Sequence, residues 1–224
     1  MSAYVITGGR RLHGSLDVQG SKNSSLPILA ATVLVDGISV IKNCPDLSDV
    51  NAAIEILKHL GCEVKRENHT VIVDSRNVTG YEIPDCLMQE MRSSIVFLGS
   101  VLGRMGKAEL SSPGGCEIGL RPIDLHLSSL SKLGISVDES AGRIFCRRNK
   151  KIKPSIISLS FPSVGATENI ILSCALSQGR TIILNAAREP EINDLADFLN
   201  SAGCRIEVES QGTVIIDGVK RIYG

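Results

Sequence analysis

Residues 22–74 read KNSSLPILAATVLVDGISVIKNCPDLSDVNAAIEILKHLGCEVKRENHTVIVD, and the same plan recurs twice further along the chain. Residues 91–146 and 164–217 follow it, with an apolar helix, a short strand, an amphipathic helix and two alternating strands joined by a polar turn. Each first helix is apolar on nearly every side, so it has to be buried by its neighbours. The pattern predicts an α/β domain of three β-α-β-α-β-β repeats packed around buried helices.

Glycine and aspartate mark the predicted helix ends in each repeat. The first helix is predicted to end at a glycine in the left-handed conformation: Gly37, Gly106 or Gly179. The second helix is predicted to begin at a capping aspartate, Asp49, Asp124 or Asp194, and to end at Gly61, Gly134 or Gly203. The repeats therefore occupy about residues 21–80, 91–150 and 160–220 of one domain, residues 21–224. Residues 1–20 are expected to form a short hairpin-like arm.

The charge balance and the composition exclude several classes of protein. The 24 basic and 24 acidic side chains cancel, so no global field attracts nucleic acid or a membrane surface. Trp is absent and Phe and Tyr are few, which argues against a base-stacking surface. The apolar run LPILAATVLV is too short to cross a bilayer, and the N-terminus carries no targeting pattern. We therefore expect a soluble, cytoplasmic protein with no nucleic-acid or membrane partner.

Seven cysteines occur without a CxxC pair or a metal-ligand spacing. This pattern indicates reduced thiols and no metal site, and six of the cysteines are expected to be small buried hydrophobic residues. Cys116 differs because it lies in SSPGGCEIGLRPID, residues 111–124, between paired glycines and Arg121. Nearby cations lower the pKa of a thiol. The residue pattern leaves two interpretations open, a reactive loop thiol or a small residue in a turn.

A binding site is expected where the repeats differ. Asn23, Arg92 and Gly165 each lie fourteen residues before the first glycine of their repeat, at the N-terminus of a buried helix. Helix N-termini favour anions, and Lys22, Arg92 and Arg121 could converge there on a small doubly anionic molecule. The alternative is that these three cations are solvated surface charges.

The loop that contains Cys116 is longer than its counterparts. From the first glycine to the aspartate the repeats count 12, 18 and 15 residues, so the middle repeat carries an insertion. His126 lies just beyond this loop and follows Asp124 into the next helix. It is interpreted as a surface or capping residue.

Four segments carry a family resemblance: GSKNSSLPILAA, PGGCEIGLRPIDLHL, FPSVGATENI and NAAREPEINDLADFLNSAG. They resemble the signature segments of the UDP-N-acetylglucosamine 1-carboxyvinyltransferases, the enolpyruvyl transferases of peptidoglycan synthesis. The resemblance implies the inside-out α/β barrel of these enzymes. It also implies transfer of the enolpyruvyl group of phosphoenolpyruvate to the 3-hydroxyl of UDP-N-acetylglucosamine, with release of phosphate and without a cofactor.

The same resemblance implies roles for individual residues. Lys22, Arg92 and Arg121 would bind the phosphate and carboxylate of phosphoenolpyruvate, and Asn23 would hold the sugar. Cys116 would be the loop thiol that acts as general acid and forms an adduct with phosphoenolpyruvate, so the catalytic set is Cys116, Lys22 and Arg121. The uridine diphosphate site would be lined by two short stretches: Arg121, Pro122, Ile123, Asp124 and Leu125, with Ser163, Val164 and Gly165.

Two departures from the family pattern affect the expected function. Phe161 stands where some relatives carry a lysine, which removes one expected contact to the nucleotide. The family has a second domain of similar length, and that C-terminal domain is expected to be a missing partner of this chain. The chain would then supply half an active site and be inactive alone. The alternative function is a non-catalytic module that binds a nucleotide sugar or a protein partner.

Overall fold

The protein, a computed structural model, is described at residues 3–113 and 123–224. Its elements fall into three units along the chain. The first unit contains α1 (Lys22–Thr32), β1 (Val35–Asp36), β2 (Ile38–Ile41), α2 (Ser48–His59), β3 (Glu63–Glu67) and β4 (Thr70–Asp74). The second contains α3 (Asp85–Glu90), a 3₁₀ helix (Arg92–Val96), α4 (Phe97–Met105), β5 (Lys107–Ser111), α5 (Asp124–Lys132), β6 (Ile135–Ser140) and β7 (Arg143–Arg148). The third contains β8 (Ser155–Ser158), α6 (Val164–Cys174), β9 (Gly179–Leu184), α7 (Pro190–Ser201), β10 (Arg205–Glu209) and β11 (Thr213–Gly218), and β12 (Ile222–Tyr223) follows it.

Each unit forms one sheet, and the three sheets share a strand order. The orders are β2-β4-β3, β5-β7-β6 and β10-β11-β9-β8, so the last strand of each hairpin lies in the middle and pairs antiparallel with both neighbours. Among the described strands of these sheets, β8 alone forms a parallel ladder, against β9. The short strands β1 and β12 pair parallel and connect the beginning of the first unit to the end of the third.

The strand predicted to lead each repeat is formed fully in only one described unit. It is β8 in the third unit, and in the second unit a single parallel bridge between Glu82 and Glu109 takes its place. Residues 3–20 before the first unit contain neither helix nor strand, so the predicted hairpin is wrong. The arm exposes its apolar side chains, as at Tyr4 and Leu12, and it contacts the first unit at its end, where the side-chain oxygen of Gln19 accepts a hydrogen bond from the backbone N–H of Asp46 at 3.1 Å.

The helices α1, α4 and α6 form the centre of the core. Leu29 of α1, Phe97 of α4 and Ile170 of α6 are fully buried. A Cβ added at Gly103 of α4 would lie 2.6 Å from the carbonyl oxygen of Leu172 in α6. Glycine at this position lets the backbones of α4 and α6 approach each other closely. This close packing buries α4, in agreement with its apolar sequence.

The observed C-terminal ends of the helices match the ends predicted from the sequence in four of six cases. Gly106 caps α4 with φ of 72°, as predicted, whereas α1 and α6 end earlier than their glycines, at Thr32 and Cys174. The second helices end as predicted, each two residues before a glycine of positive φ: Gly61, Gly134 or Gly203. The reason is local, because a residue in the left-handed region stops a helix without any tertiary contact.

The predicted aspartate caps are wrong. Asp49, Asp124 and Asp194 lie within α2, α5 and α7, and none of these helices has a side-chain cap hydrogen bond. Two of the three carboxylates instead contact the beginning of α1. Asp49 accepts a hydrogen bond from Nζ of Lys22 at 2.8 Å, and Asp194 accepts one from the hydroxyl of Ser24. Tertiary partners therefore replace the local cap.

The cysteines show one departure. Five of the six described cysteines are buried: Cys44, Cys62, Cys146, Cys174 and Cys204. Cys86 is exposed on α3, contrary to the prediction, because this short helix buries only Met88. Cys116 lies outside the described residues. Within the described residues, no group of three or more His, Cys, Asp or Glu is arranged to hold a metal ion, and no helix is long and apolar enough to span a membrane.

Candidate active site

A cavity of about 720 Å³ opens where the N-terminal ends of several helices meet. It draws residues from α1, the 3₁₀ helix, α5, α6 and α7, and thus from all three units. Seven of the predicted site residues line it: Asn23, Arg92, Ile123, Leu125, Ser163, Val164 and Gly165. The three positions found fourteen residues before a glycine are all among them, so the repeat alignment located the wall of one cavity.

The remaining predicted site residues divide into two groups. Lys22 forms a salt bridge with Asp49 at 2.8 Å, and Asp124 is exposed at the beginning of α5, so neither lines the cavity. Cys116, Arg121 and Pro122 lie outside the described residues.

The first turn of α6 forms one end of the cavity. Ser163 precedes the helix, and its hydroxyl accepts a hydrogen bond from the backbone N–H of Ala166 at 3.3 Å. The next two residues, Val164 and Gly165, line the cavity with backbone N–H groups that a helix of this kind leaves unsatisfied. This end of α6 is therefore suited to a negatively charged or oxygen-rich group.

His126 is a cavity residue that the sequence interpretation missed. It lines the cavity and is 7% exposed, so its prediction as a surface or capping residue is wrong. Burial, together with the nearby positive charge of Arg92, lowers the pKa of the ring to about 4. The imidazole is consequently neutral at physiological pH. No sequence signal revealed this, because the packing of α6 over the ring is a tertiary feature.

Glu168 is the second missed residue of the cavity. It is 7% exposed, and burial, with a smaller contribution from the negative charge of Glu191, raises its pKa to about 8. The carboxyl group is therefore mostly protonated at neutral pH and can donate a hydrogen bond. An acid inside the apolar run ATENIILSC was the available signal, since buried acids are rare outside sites.

The charges of the described lining do not favour an anion everywhere. Arg92 is its cation, and Glu189 and Glu191 contribute carboxylates beside the protonated Glu168. Asn23 donates a hydrogen bond to Glu191 at 3.4 Å, so this amide is directed toward the acidic side of the cavity. The cavity thus has a cationic end near α6 and an acidic end near α7, which suits a ligand carrying both phosphate oxygens and hydroxyl donors.

Phe161 lies at the mouth of the cavity near α6. Its side chain lines the cavity, and the residue is 65% exposed. It provides an open apolar surface at the position where the family resemblance expects a lysine in some relatives.

Sequence comparison places the chain among carboxyvinyltransferases. The EPSP synthase family, described as 3-phosphoshikimate 1-carboxyvinyltransferase, matches residues 6–224. UDP-N-acetylglucosamine 1-carboxyvinyltransferase 2 of Caldanaerobacter subterraneus subsp. tengcongensis is 52% identical over the whole chain. UDP-N-acetylglucosamine 1-carboxyvinyltransferase 1 of Symbiobacterium thermophilum is 45% identical over 98% of it. The chain covers 53% and 51% of these relatives, so it spans about half their length.

Solved structures share the fold at lower identity. The enolpyruvyl transferase NikO from Streptomyces tendae matches with a TM-score of 0.83 and 23% identity, over 96% of this chain and 51% of that one. An EPSP synthase from Acinetobacter baumannii matches with a TM-score of 0.75 and 16% identity, over 94% of this chain and 48% of that one. These likenesses show that the fold is the mixed α/β fold of enolpyruvyl transferases.

Proposed function

Because the chain belongs to the EPSP synthase family, we propose that it forms one half of an enolpyruvyl transferase acting on UDP-N-acetylglucosamine. Residues 21–224 would constitute one inside-out barrel domain, and a second domain would close over the cavity. The observation that carries the proposal is the cavity of about 720 Å³, where seven residues expected from the family resemblance come together. The names of the relatives above support the choice of acceptor.

The proposed reaction transfers the enolpyruvyl group without a cofactor. The 3-hydroxyl oxygen of the sugar bonds to C2 of phosphoenolpyruvate, the hydroxyl loses its proton, and a proton adds to the methylene carbon. The tetrahedral adduct then breaks its C–O bond to phosphate and loses a methyl proton, which restores the double bond. The products are inorganic phosphate and the enolpyruvyl ether. This is the first committed step of peptidoglycan synthesis, which takes place in the cytoplasm.

The described residues suggest how the acceptor would lie in the cavity. The diphosphate would meet the N-terminal end of α6 at Ser163, Val164 and Gly165, with the guanidinium of Arg92 as a nearby cation. Ile123 and Leu125, which line the cavity, would contact the nucleotide. Asn23 would hold the sugar near the acidic end of the cavity.

The donor site would be built from Lys22, Arg92, Arg121 and Cys116. Lys22 is 44% exposed in its pair with Asp49, and an exposed ion pair contributes about 1 kcal/mol or less, so its ammonium could turn to a substrate anion at small cost. In this proposal Arg121 binds phosphate, and Cys116 donates the proton to the methylene carbon. Residues of the second half would complete the site and exclude water.

A fusion protein tests the choice of acceptor. The chain is joined to the second half of the Caldanaerobacter relative and given phosphoenolpyruvate with either UDP-N-acetylglucosamine or shikimate 3-phosphate. We expect an enolpyruvyl product with the nucleotide sugar alone, and much less of it after Lys22→Ala than after the matched surface variant Lys42→Ala. The intact relative serves as a positive control. Product formed only with shikimate 3-phosphate would overturn the proposed acceptor.

A further inference from the structure

The side chain of Asn169, in the middle of α6, is held in one orientation by the backbone of the second unit. Its Oδ1 accepts a hydrogen bond from the backbone N–H of Gly99 at 2.6 Å, and its Nδ2 donates to the carbonyl oxygen of Ile95 at 3.1 Å. A backbone N–H can only donate and a carbonyl can only accept. These two partners therefore fix which atom of the amide is oxygen and which is nitrogen.

This orientation determines the tautomer of His126. Nδ2 of Asn169 lies 2.8 Å from Nδ1 of the ring, and an amide nitrogen can only donate, so Nδ1 must be the acceptor. In a neutral imidazole the proton then resides on Nε2. A charged ring would place an N–H of Nδ1 against the N–H of the amide, which agrees with the pKa lowered to about 4 by burial and by Arg92.

The protonated edge of the ring is at the cavity wall. A Cβ added at Gly165 would lie 2.8 Å from Cε1 and 3.2 Å from Nε2 of His126, and both residues line the cavity. Within residues 3–113 and 123–224, Asn169 is the hydrogen-bond partner recorded for the ring, and it occupies Nδ1. The N–H of Nε2 is thus available beside the first turn of α6.

We propose that Asn169 is a positioning residue that holds His126 as a neutral N–H donor to a phosphate oxygen of the nucleoside diphosphate bound at the N-terminal end of α6. The inference rests on the proposed function for the identity of the ligand. Its physical advantage is that a neutral donor needs no counter-ion when the cavity closes. The partial positive charge of the α6 terminus and the guanidinium of Arg92 favour a phosphate oxygen as the acceptor.

The tautomer is tested without any ligand. Histidine labelled with ¹⁵N distinguishes a protonated from an unprotonated ring nitrogen, and the His126→Gln variant identifies the resonance by its loss. We expect a protonated Nε2 and a bare Nδ1 at neutral pH, and a ring that stays neutral down to about pH 4. Asn169→Asp should move the proton to Nδ1, because a carboxylate accepts. A proton on Nδ1 or a charged ring at neutral pH in the unsubstituted chain would overturn the inference.

A pair of substitutions tests the contact to phosphate. Glutamine at 126 carries an amide donor near the place of Nε2, whereas asparagine carries its amide near the place of Nδ1. In the fusion protein we expect His126→Gln to bind UDP within about threefold of the parent and His126→Asn to bind it about tenfold more weakly. Binding of uridine, which lacks phosphate, should be equal in the two variants.

The outcomes separate this inference from the proposed function. If UDP binds but both variants match the parent, His126 does not contact phosphate and the inference is wrong, while the proposed function stands. If His126→Asn weakens the binding of uridine as much as the binding of UDP, the ring contacts the nucleoside and the phosphate assignment is wrong. If the fusion binds no UDP at all, the ligand assignment and the proposed function both fail.

Discussion

Gly165 and His126 are packed so closely that a Cβ on the glycine would lie 2.8 Å from Cε1 of the ring. The contact joins the first turn of α6 to the helix that follows the Cys116 loop. The glycine of SVGAT is therefore required by a side chain of the neighbouring unit.

Gly165→Ala tests this contact. Alanine favours a helix by about 1 kcal/mol, but forcing a methyl group against a buried ring costs about 1–3 kcal/mol. We expect a net loss in the free energy of unfolding by urea, and we expect the loss to disappear in a His126→Ala background. An equal effect in both backgrounds would show that the ring is not the obstacle.

Glu168→Gln should change how stability depends on pH. The pKa of Glu168 is raised to about 8 in the folded chain, so the folded state retains a proton that the unfolded state releases above its ordinary value of 4.5. The contribution of Glu168 to the free energy of unfolding is therefore fully present below pH 4.5. It is lost as the pH rises toward 8, by at most about 1.4 kcal/mol per pH unit. The variant should lack this loss, so its advantage over the parent grows between about pH 5 and pH 8. Urea unfolding across that range measures it, and a difference independent of pH would contradict it.

The thiols should react in an order set by exposure. Cys86 is exposed, whereas burial raises the pKa of Cys146 to about 12 and those of Cys174 and Cys204 to about 11. We expect alkylation at neutral pH to label Cys116 first, from its glycine loop and nearby arginine, and Cys86 second. Competitive labelling with peptide mapping gives the order, and the Cys86→Ser variant isolates the loop thiol. Labelling of a buried cysteine before either would refute the assignment.

Gly103→Ala should destabilise the core although alanine is the better helix former. The added Cβ would lie 2.6 Å from the carbonyl oxygen of Leu172, a backbone atom inside α6 that cannot turn away. We expect the free energy of unfolding to fall by about 2 kcal/mol. Asp197→Ala, at an exposed position of α7, is the matched control and should have little effect. A neutral Gly103→Ala would mean that the α4 and α6 backbones are not in close contact.

The sequence predicted the features that depend on local periodicity. The alternation of apolar residues located the hairpins, and the spacing to Gly37, Gly106 and Gly179 located three helix starts that share one cavity. Features that depend on distant partners were missed. Asp49 contacts Lys22 where a local cap was predicted, and His126 is buried by a helix more than thirty residues away along the chain. Periodicity contains no information about which helix packs on which.

Phosphate release from phosphoenolpyruvate in the presence of UDP-N-acetylglucosamine tests the proposal that this chain supplies one half of an enolpyruvyl transferase. It compares the 224-residue chain alone with a mixture of the chain and a separately produced second half of the Caldanaerobacter relative. Without a second half to exclude water, screening and a high dielectric would weaken each contact to phosphate. We predict release at background level from the chain and from the second half, and steady turnover from the mixture. Steady turnover by the chain alone would show that it does not need a second half, and the proposal would be wrong.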